Sequence, residues 1–216
     1  MRGTALITGF EPYGGRHLNP SGELAAALDG ARIGDLAIVG RTLPVVFAGL
    51  AARIETCLAE TRPNLVIALG LWPGEPAIRL ERRAVNLAEC SSPDNAGEVR
   101  RGEALAPGGV AELAATLPLP AIAAALLADG IPARLSDSAG TFLCNATLYT
   151  LLDAIARKRT PIPCGFIHLP YLPRQVAAML ADARNAAPDP GLASMDLATM
   201  ERAVRIALAV AASAPA

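Results

Sequence analysis

The chain is poor in histidine, in aromatic side chains and in excess charge, and each shortage removes a class of function. There are two histidines, His17 and His168, so a multi-histidine metal site within one chain is not expected. Any mechanism that needs an imidazole must use one of these two. A formal net charge of −1 offers no basic face to nucleic acid or to an anionic membrane. No apolar run reaches the roughly 18 residues that a bilayer span requires. The apolar part of the N-terminal segment is too short for a signal peptide, and residues 5–8 read as a first strand instead. The four cysteines, at 57, 90, 144 and 164, form no Cys-x-x-Cys pair and no tight framework. That usage favours a reducing cytoplasm over a secreted disulfide scaffold.

What is present is a core-forming sequence, 52% hydrophobic and only 4% aromatic over 216 residues. The length suits one domain, 1–216. Short apolar runs at 5–8, 36–39, 65–69, 133–136 and 164–169 read as strands. Helical patterns start at Pro20, follow Pro44, span 121–129, follow Cys144, start at Pro173 and span 195–212, with a polar turn expected at 185–191. Strands alternating with helices predict a three-layer α/β domain. Gly9, Gly14 and Gly15 do not have dinucleotide-fingerprint spacing, and Pro12 sits where the backbone should approach a pyrophosphate. No nicotinamide cofactor follows from them.

Three positions carry candidate chemistry. The strand at 133–136 runs into the turn Ser138-Ala139-Gly140, and helical spacing then begins, with Leu148, Leu151, Leu152 and Ile155 on one face. Cys144 therefore falls at a helix N-terminus, where unpaired N–H groups favour a thiolate and can hold an oxyanion. A buried structural cysteine is the other reading of that position. His168 near a strand's carboxyl end suits a base, or a plain hydrogen-bonded histidine. Residues 78–86 alternate, placing Ile78 and Leu80 on one side and Glu81 between Arg79 and Arg83 on the other. Alone, that segment also reads as a salt-bridged surface strand. Cys57 is expected on the core face of its helix with Leu50, Ile54 and Leu58. Residues 87–107 read as a long irregular stretch of the kind that forms lids.

Together these segments resemble the pyroglutamyl peptidase I family of pyrrolidone-carboxylate peptidases, in order and almost end to end. Gly9-Phe10-Glu11-Pro12-Tyr13-Gly14-Gly15 with Asn19-Pro20-Ser21 is similar to the family's opening motif. Glu81-Arg82 with Ala84 and Asn86 resembles its glutamate signature, and Pro93-Asp94-Asn95-Ala96-Gly97 the loop that follows. Ala139 to Asn145 resembles its cysteine signature, and Gly165 to Tyr171 its histidine signature. The resemblance implies a three-layer α/β/α sandwich with a mostly parallel, mixed central sheet. It implies a cysteine peptidase that removes N-terminal pyroglutamate from peptides or small amides. Cys144 would be the nucleophile, His168 the base and then acid, and Glu81 the group that orients the imidazole. Phe10, Tyr13, Leu71, Phe142 and Leu143 would line the substrate site. No cofactor and no metal is implied, nor any nucleic-acid or membrane partner; a homo-oligomer in the cytoplasm fits the family's habit.

The sequence also departs from the family pattern. Gly-Gln-Ala-Gly-Gly-Arg is usual where this chain has Gly70-Leu71-Trp72-Pro73-Gly74-Glu75. Arg79 replaces a usual Ser or Thr, Arg83 an apolar residue, and Ser91 the loop arginine associated with the oxyanion site. Losing such a donor costs on the order of 2–3 kcal/mol of transition-state stabilisation unless Arg79 or Arg83 replaces it. Three readings follow: a pyroglutamyl peptidase, a related cysteine amidohydrolase with a changed acyl group, and a scaffold without turnover.

Overall fold

A computed structural model describes residues 3–158, 162–182 and 192–214, and the turn expected at 185–191 lies outside them. The first half of the chain forms β1 (Gly3–Phe10), α1 (Pro20–Leu28), β2 (Arg32–Ile33), β3 (Leu36–Leu43), α2 (Leu50–Thr61), β4 (Leu65–Leu71) and β5 (Ile78–Glu81). Four short strands follow: β6 (Arg83–Val85), β7 (Ala88–Glu89), β8 (Arg101–Glu103) and β9 (Glu112–Ala114). The remainder is α3 (Leu119–Ala128), β10 (Ala133–Ser136), α4 (Leu143–Arg157), β11 (Cys164–Leu169), α5 (Pro173–Ala181) and α6 (Leu197–Ser213).

Seven strands make one mixed sheet in the order β10-β5-β11-β4-β1-β3-β2. The neighbours β3, β1, β4 and β11 run parallel. β5 opposes β11, β10 follows β5, and β2 opposes β3. Strand alternation sorts the side chains onto two faces. Ala5, Ile7, Leu65, Ile67, Leu69, Ile78, Leu80, Ile167 and Leu169 pack with α1, α3 and α6. Leu6, Val66, Ala68 and Phe166 pack with α2 and α4 on the other side. The result is the expected three-layer α/β/α sandwich with a mostly parallel, mixed sheet.

The local signals act as their chemistry requires. Asn19 caps α1 by accepting from the Ser21 amide, with Pro20 in the first turn, where no N–H is needed. A Cβ on Gly9 would meet the Ser21 carbonyl oxygen at 2.0 Å, so only glycine lets α1 start against β1. Cys57 is half-buried beside the stripe of Leu50, Ile54 and Leu58 rather than within it. Residues 87–107 are not irregular throughout, because β7 pairs with β8 inside the stretch, which the β6/β9 pair brackets. Arg101, Gly102 and Glu103 are all exposed, so no apolar alternation announces the strand.

The surface-strand reading of residues 78–81 is overturned. All four are buried, because β10 and β11 flank β5 on both sides. The chain leaves the sheet at Arg82, and Arg83 turns outward to Glu112 at 2.8 Å and to the Asp137 carbonyl. Only Arg79 faces Glu81.

Candidate active site

Sheet register brings the candidate residues together. In the β5/β11 pair, His168 lies level with Arg79 and Phe166 with Glu81. Ile167 and Leu80 turn to the opposite core, so His168, Arg79 and Glu81 share the face covered by α4. His168 also lies level with Gly70 in the parallel β4/β11 pair. A Cβ on Gly70 would approach Cys144 Sγ to 2.9 Å and Phe166 Cζ to 2.8 Å. Glycine at 70 is thus the space into which the thiol fits, about one strand spacing from His168.

α4 supplies the thiol from its first turn. Phe142 is the N-cap without a side-chain bond, and the first intrahelical bond runs from the Ala146 amide to the Phe142 carbonyl at 3.0 Å. The amides of Leu143, Cys144 and Asn145 therefore precede the helix's own ladder and are available to an anion. Asn145 fixes the helix start. Its buried amide accepts from the Val85 N–H and donates to the carbonyls of Val85 and Leu87, each at 2.9 Å.

The His168–Glu81 pair is fully buried. His168 Nδ1 lies 2.8 Å from Glu81 Oε1, with exposures of 1% and 0%. An ionised carboxylate only accepts, so the proton sits on Nδ1 and Nε2 keeps its lone pair. Burial pushes the Glu81 carboxyl up, but the bond from His168 and the charge of Arg79 outweigh it and hold Glu81 below its ordinary value. Ser136 stands level with Glu81 across β10, yet its hydroxyl points to the Ser138 carbonyl at 3.3 Å. Glu81 Oε2 is left without a hydrogen-bond partner. Burial lowers His168 further than Glu81 raises it, and Arg79 adds to the lowering. At rest the imidazole is neutral.

The thiol does not behave as helix position alone predicts. Burial, and then the negative charge of Glu81, raise Cys144 to about 12 against the lowering by its own backbone N–H. Desolvation and a nearby carboxylate outweigh the helix terminus. Burial and Glu81 thus favour a thiol over a preformed thiolate, even though Cys144 is half-buried rather than sealed in the core.

Of the residues expected to line the site, Phe142 and Tyr13 are half-buried with ring centroids 6.2 Å apart. Phe47 meets Phe142 edge-on at 5.5 Å. Burial and then Cys144 raise the Tyr13 hydroxyl to about 12, which ties that ring electrically to the thiol. Phe10 and Leu143 are buried in the core beneath this wall. Leu71 lies level with Leu169, on the opposite face of the sheet from Gly70, so its backbone rather than its side chain adjoins the site. His17 is exposed. Ser91 is exposed in its arm, where the Cys90 amide bonds the Arg100 carbonyl and the Arg100 guanidinium lies over Phe47 at 5.4 Å. Arg79 and Arg83 are both committed to carboxylates elsewhere, so neither stands in for an arginine at 91.

The family comparison decides what this constellation belongs to. The family model described as pyroglutamyl peptidase matches residues 4–214. This chain belongs to the pyroglutamyl peptidase family. It is 40% identical over 203 residues to the pyrrolidone-carboxylate peptidase of Pyrococcus furiosus, covering 94% of this chain and 97% of that one. It is 43% identical over 205 residues to the pyrrolidone-carboxylate peptidase of Gloeobacter violaceus, covering 95% of each. The crystal structure of the Pyrococcus furiosus pyrrolidone carboxyl peptidase matches with a TM-score of 0.91 at 40% identity, over 97% of this chain and 98% of that chain. Among the described residues no helix is long and apolar enough to cross a membrane, and no group of three or more His, Cys, Asp or Glu side chains could hold a metal ion.

Sequence reasoning missed Gly70 as the thiol's space and Asn145 as the anchor of α4. The abrupt end of an apolar strand at a glycine marked the first; nothing local marked the second, whose partners lie about 60 residues away.

Proposed function

We propose that this pyroglutamyl peptidase family member hydrolyses the amide bond after an N-terminal pyroglutamyl residue, with Cys144 as nucleophile, His168 as base and then acid, and Glu81 as the group orienting the imidazole. The observation that carries this reading is the 2.8 Å bond between His168 Nδ1 and Glu81 Oε1, on the same sheet face as the Cys144 thiol. It leaves Nε2 as the free proton acceptor.

The thiol proton passes to His168 Nε2 as Sγ attacks the pyroglutamyl carbonyl carbon. General-base catalysis suits a thiol that burial and Glu81 favour in its protonated form. The oxyanion meets the Cys144 amide at the start of α4. Collapse breaks the C–N bond, His168 gives its proton to the leaving amine, and a thioester on Cys144 remains. Water, deprotonated by His168, attacks the thioester and releases pyroglutamate and the thiol. Glu81 stabilises the imidazolium formed in each half without taking its proton. The wall of Phe142, Tyr13 and Phe47 suits a flat lactam, which carries no ammonium group to desolvate.

The four free cysteines support a reducing compartment, hence the cytoplasm. A homo-oligomer is read by light scattering after gel filtration. The deciding experiment is hydrolysis of a pyroglutamyl fluorogenic amide, with an alanyl amide and Cys144→Ala beside it. Selective pyroglutamyl turnover that Cys144→Ala abolishes is expected. Equal turnover of the alanyl amide would overturn the specificity, and turnover surviving Cys144→Ala would overturn the mechanism.

A further inference from the structure

Arg79 is 8% exposed and engages four groups at once. Its Nε donates to Glu81 Oε1 at 2.7 Å, the same oxygen that His168 Nδ1 reaches at 2.8 Å. Nη1 lies 3.5 Å from Glu75 Oε2, and Nη2 donates to the Ser138 carbonyl at 2.5 Å. Its Cζ sits 3.7 Å from the centre of the Trp72 ring, a close cation–π contact. Glu75 is itself held by Arg134 through two bonds, of 3.0 and 2.6 Å.

These contacts join every segment of the proposed catalytic apparatus. Trp72 follows β4 and meets the His168 ring edge-on, with centroids 4.9 Å apart. Ser138 opens the turn that leads into α4 and Cys144. The same Trp72 ring lies against Gly140, within 3.6 Å of where a Cβ would stand. One guanidinium thus touches the strand bearing Glu81, the approach to the thiol and the ring that packs on the imidazole.

We propose that Arg79, clamped on Trp72, is a positioning residue for the His168–Glu81 pair. One carboxylate oxygen serves both donors, so a shift of the guanidinium displaces the acceptor that sets the imidazole's tautomer and direction. Its charge also opposes a second charge on the imidazole. His168 is faced by Glu81 and Arg79 from β5 and by Glu75 from the preceding loop, with the Cys144 thiol at the neighbouring Gly70; the two carboxylates favour protonation and Arg79 disfavours it. A salt bridge that served stability alone would leave the imidazole's titration untouched.

The proposal rests on His168 acting as the base, and the test separates the two. With two histidines in the chain, one exposed and one buried, the ring signals of His168 are resolved by two-bond 1H–15N correlation without turnover. Wild type, Arg79→Ser and Arg79→Lys are titrated this way, and kcat and KM are followed against pH on a pyroglutamyl amide. In Arg79→Ser the His168 midpoint and the acid limb of kcat/KM both move to higher pH, kcat falls at least tenfold and KM changes less than twofold. In Arg79→Lys the charge remains and the midpoint stays near wild type, while kcat still falls because one ammonium cannot hold the four contacts. An unchanged midpoint and tautomer in a folded Arg79→Ser protein, with kcat retained, overturns the proposal. If Arg79→Ser fails to fold, Arg79→Lys decides: wild-type kcat and tautomer there overturn it. A wild-type protein inert toward pyroglutamyl amides would sink the functional reading, and the titration would still judge Arg79.

Discussion

Gly70 and His168 are register partners across the parallel strands β4 and β11, and the missing side chain at Gly70 is the space occupied by Cys144 Sγ. Both the thiol and the imidazole strand thus adjoin Gly70. A methyl group there would lie 2.9 Å from the sulfur and 2.8 Å from Phe166 Cζ, closer than unbonded atoms tolerate.

Gly70→Ala is therefore expected to remove activity more than a hundredfold while costing about 1–3 kcal/mol of stability, the usual penalty of overpacking. Phe166 lies on the central strand β11 and cannot swing away, so α4 must move and carry Cys144 with it. Steady-state kinetics beside a denaturant melt distinguishes this from simple unfolding. A fully active, folded variant would contradict the geometry.

Reactivity of Cys144 toward iodoacetamide is expected to climb about tenfold per pH unit from pH 6 to 9, without an acidic plateau. The thiol is raised to about 12 by burial and by Glu81, so its thiolate fraction is small and grows with pH throughout that range. Inactivation rates and absorbance at 240 nm across pH 5–9 are the check. A plateau with a midpoint below 6 would instead indicate a thiolate–imidazolium pair.

Asn145→Ala is expected to cost about 3 kcal/mol, since it removes three hydrogen bonds and deprives the Val85 amide and the Leu87 carbonyl of this partner, while the Val85 carbonyl keeps the Leu87 amide. The loss appears in urea unfolding. It should be accompanied by a lower kcat, because the first turn of α4 carries both the proposed nucleophile and the amide proposed to meet the oxyanion.

Asp94 should contribute pH-dependent stability. Burial raises its carboxyl, but amides of Phe47, Glu98 and Ala96, together with Arg100, outweigh that and hold it below its ordinary value near 3.8. A group lowered on folding stabilises fully above its unfolded value, and the contribution is lost as pH falls through the folded one. Asp94→Asn is accordingly expected to be about 2 kcal/mol less stable than wild type at pH 7. The gap should begin to narrow only below about pH 4 and close as pH falls through the lower folded value. Parallel urea curves at pH 7, 5 and 3.5 read it, and a gap independent of pH would refute the assignment. Phe47, held by this carboxylate, supports Phe142, so KM for the pyroglutamyl amide should rise as well.

Much of this arrangement was legible before any coordinates. The strand at 133–136 and the strand at 164–169 have the bounds expected of them, and α4 begins one residue before Cys144. Apolar periodicity, turn residues and proline positions are local, so the chain announces them locally. Motif order placed the chain beside the pyroglutamyl peptidases because the residue types at the cysteine, histidine and glutamate segments constrain one another's chemistry.

What tertiary structure alone decided is which charges are buried and which residues meet. Arg79 and Arg83 look equivalent about Glu81 in sequence. The chain leaves the sheet at Arg82, so one becomes part of a buried network and the other a surface ion pair. Cys144 at a helix start predicts a thiolate, yet the carboxylate and the core around it reverse the sign. Trp72, Arg79 and Ser138 come together only in the folded sheet, where β5 lies between β10 and β11. Local propensity follows from each residue and its neighbours; desolvation and Coulomb energy depend on everything within a few ångströms, and that neighbourhood exists only after folding.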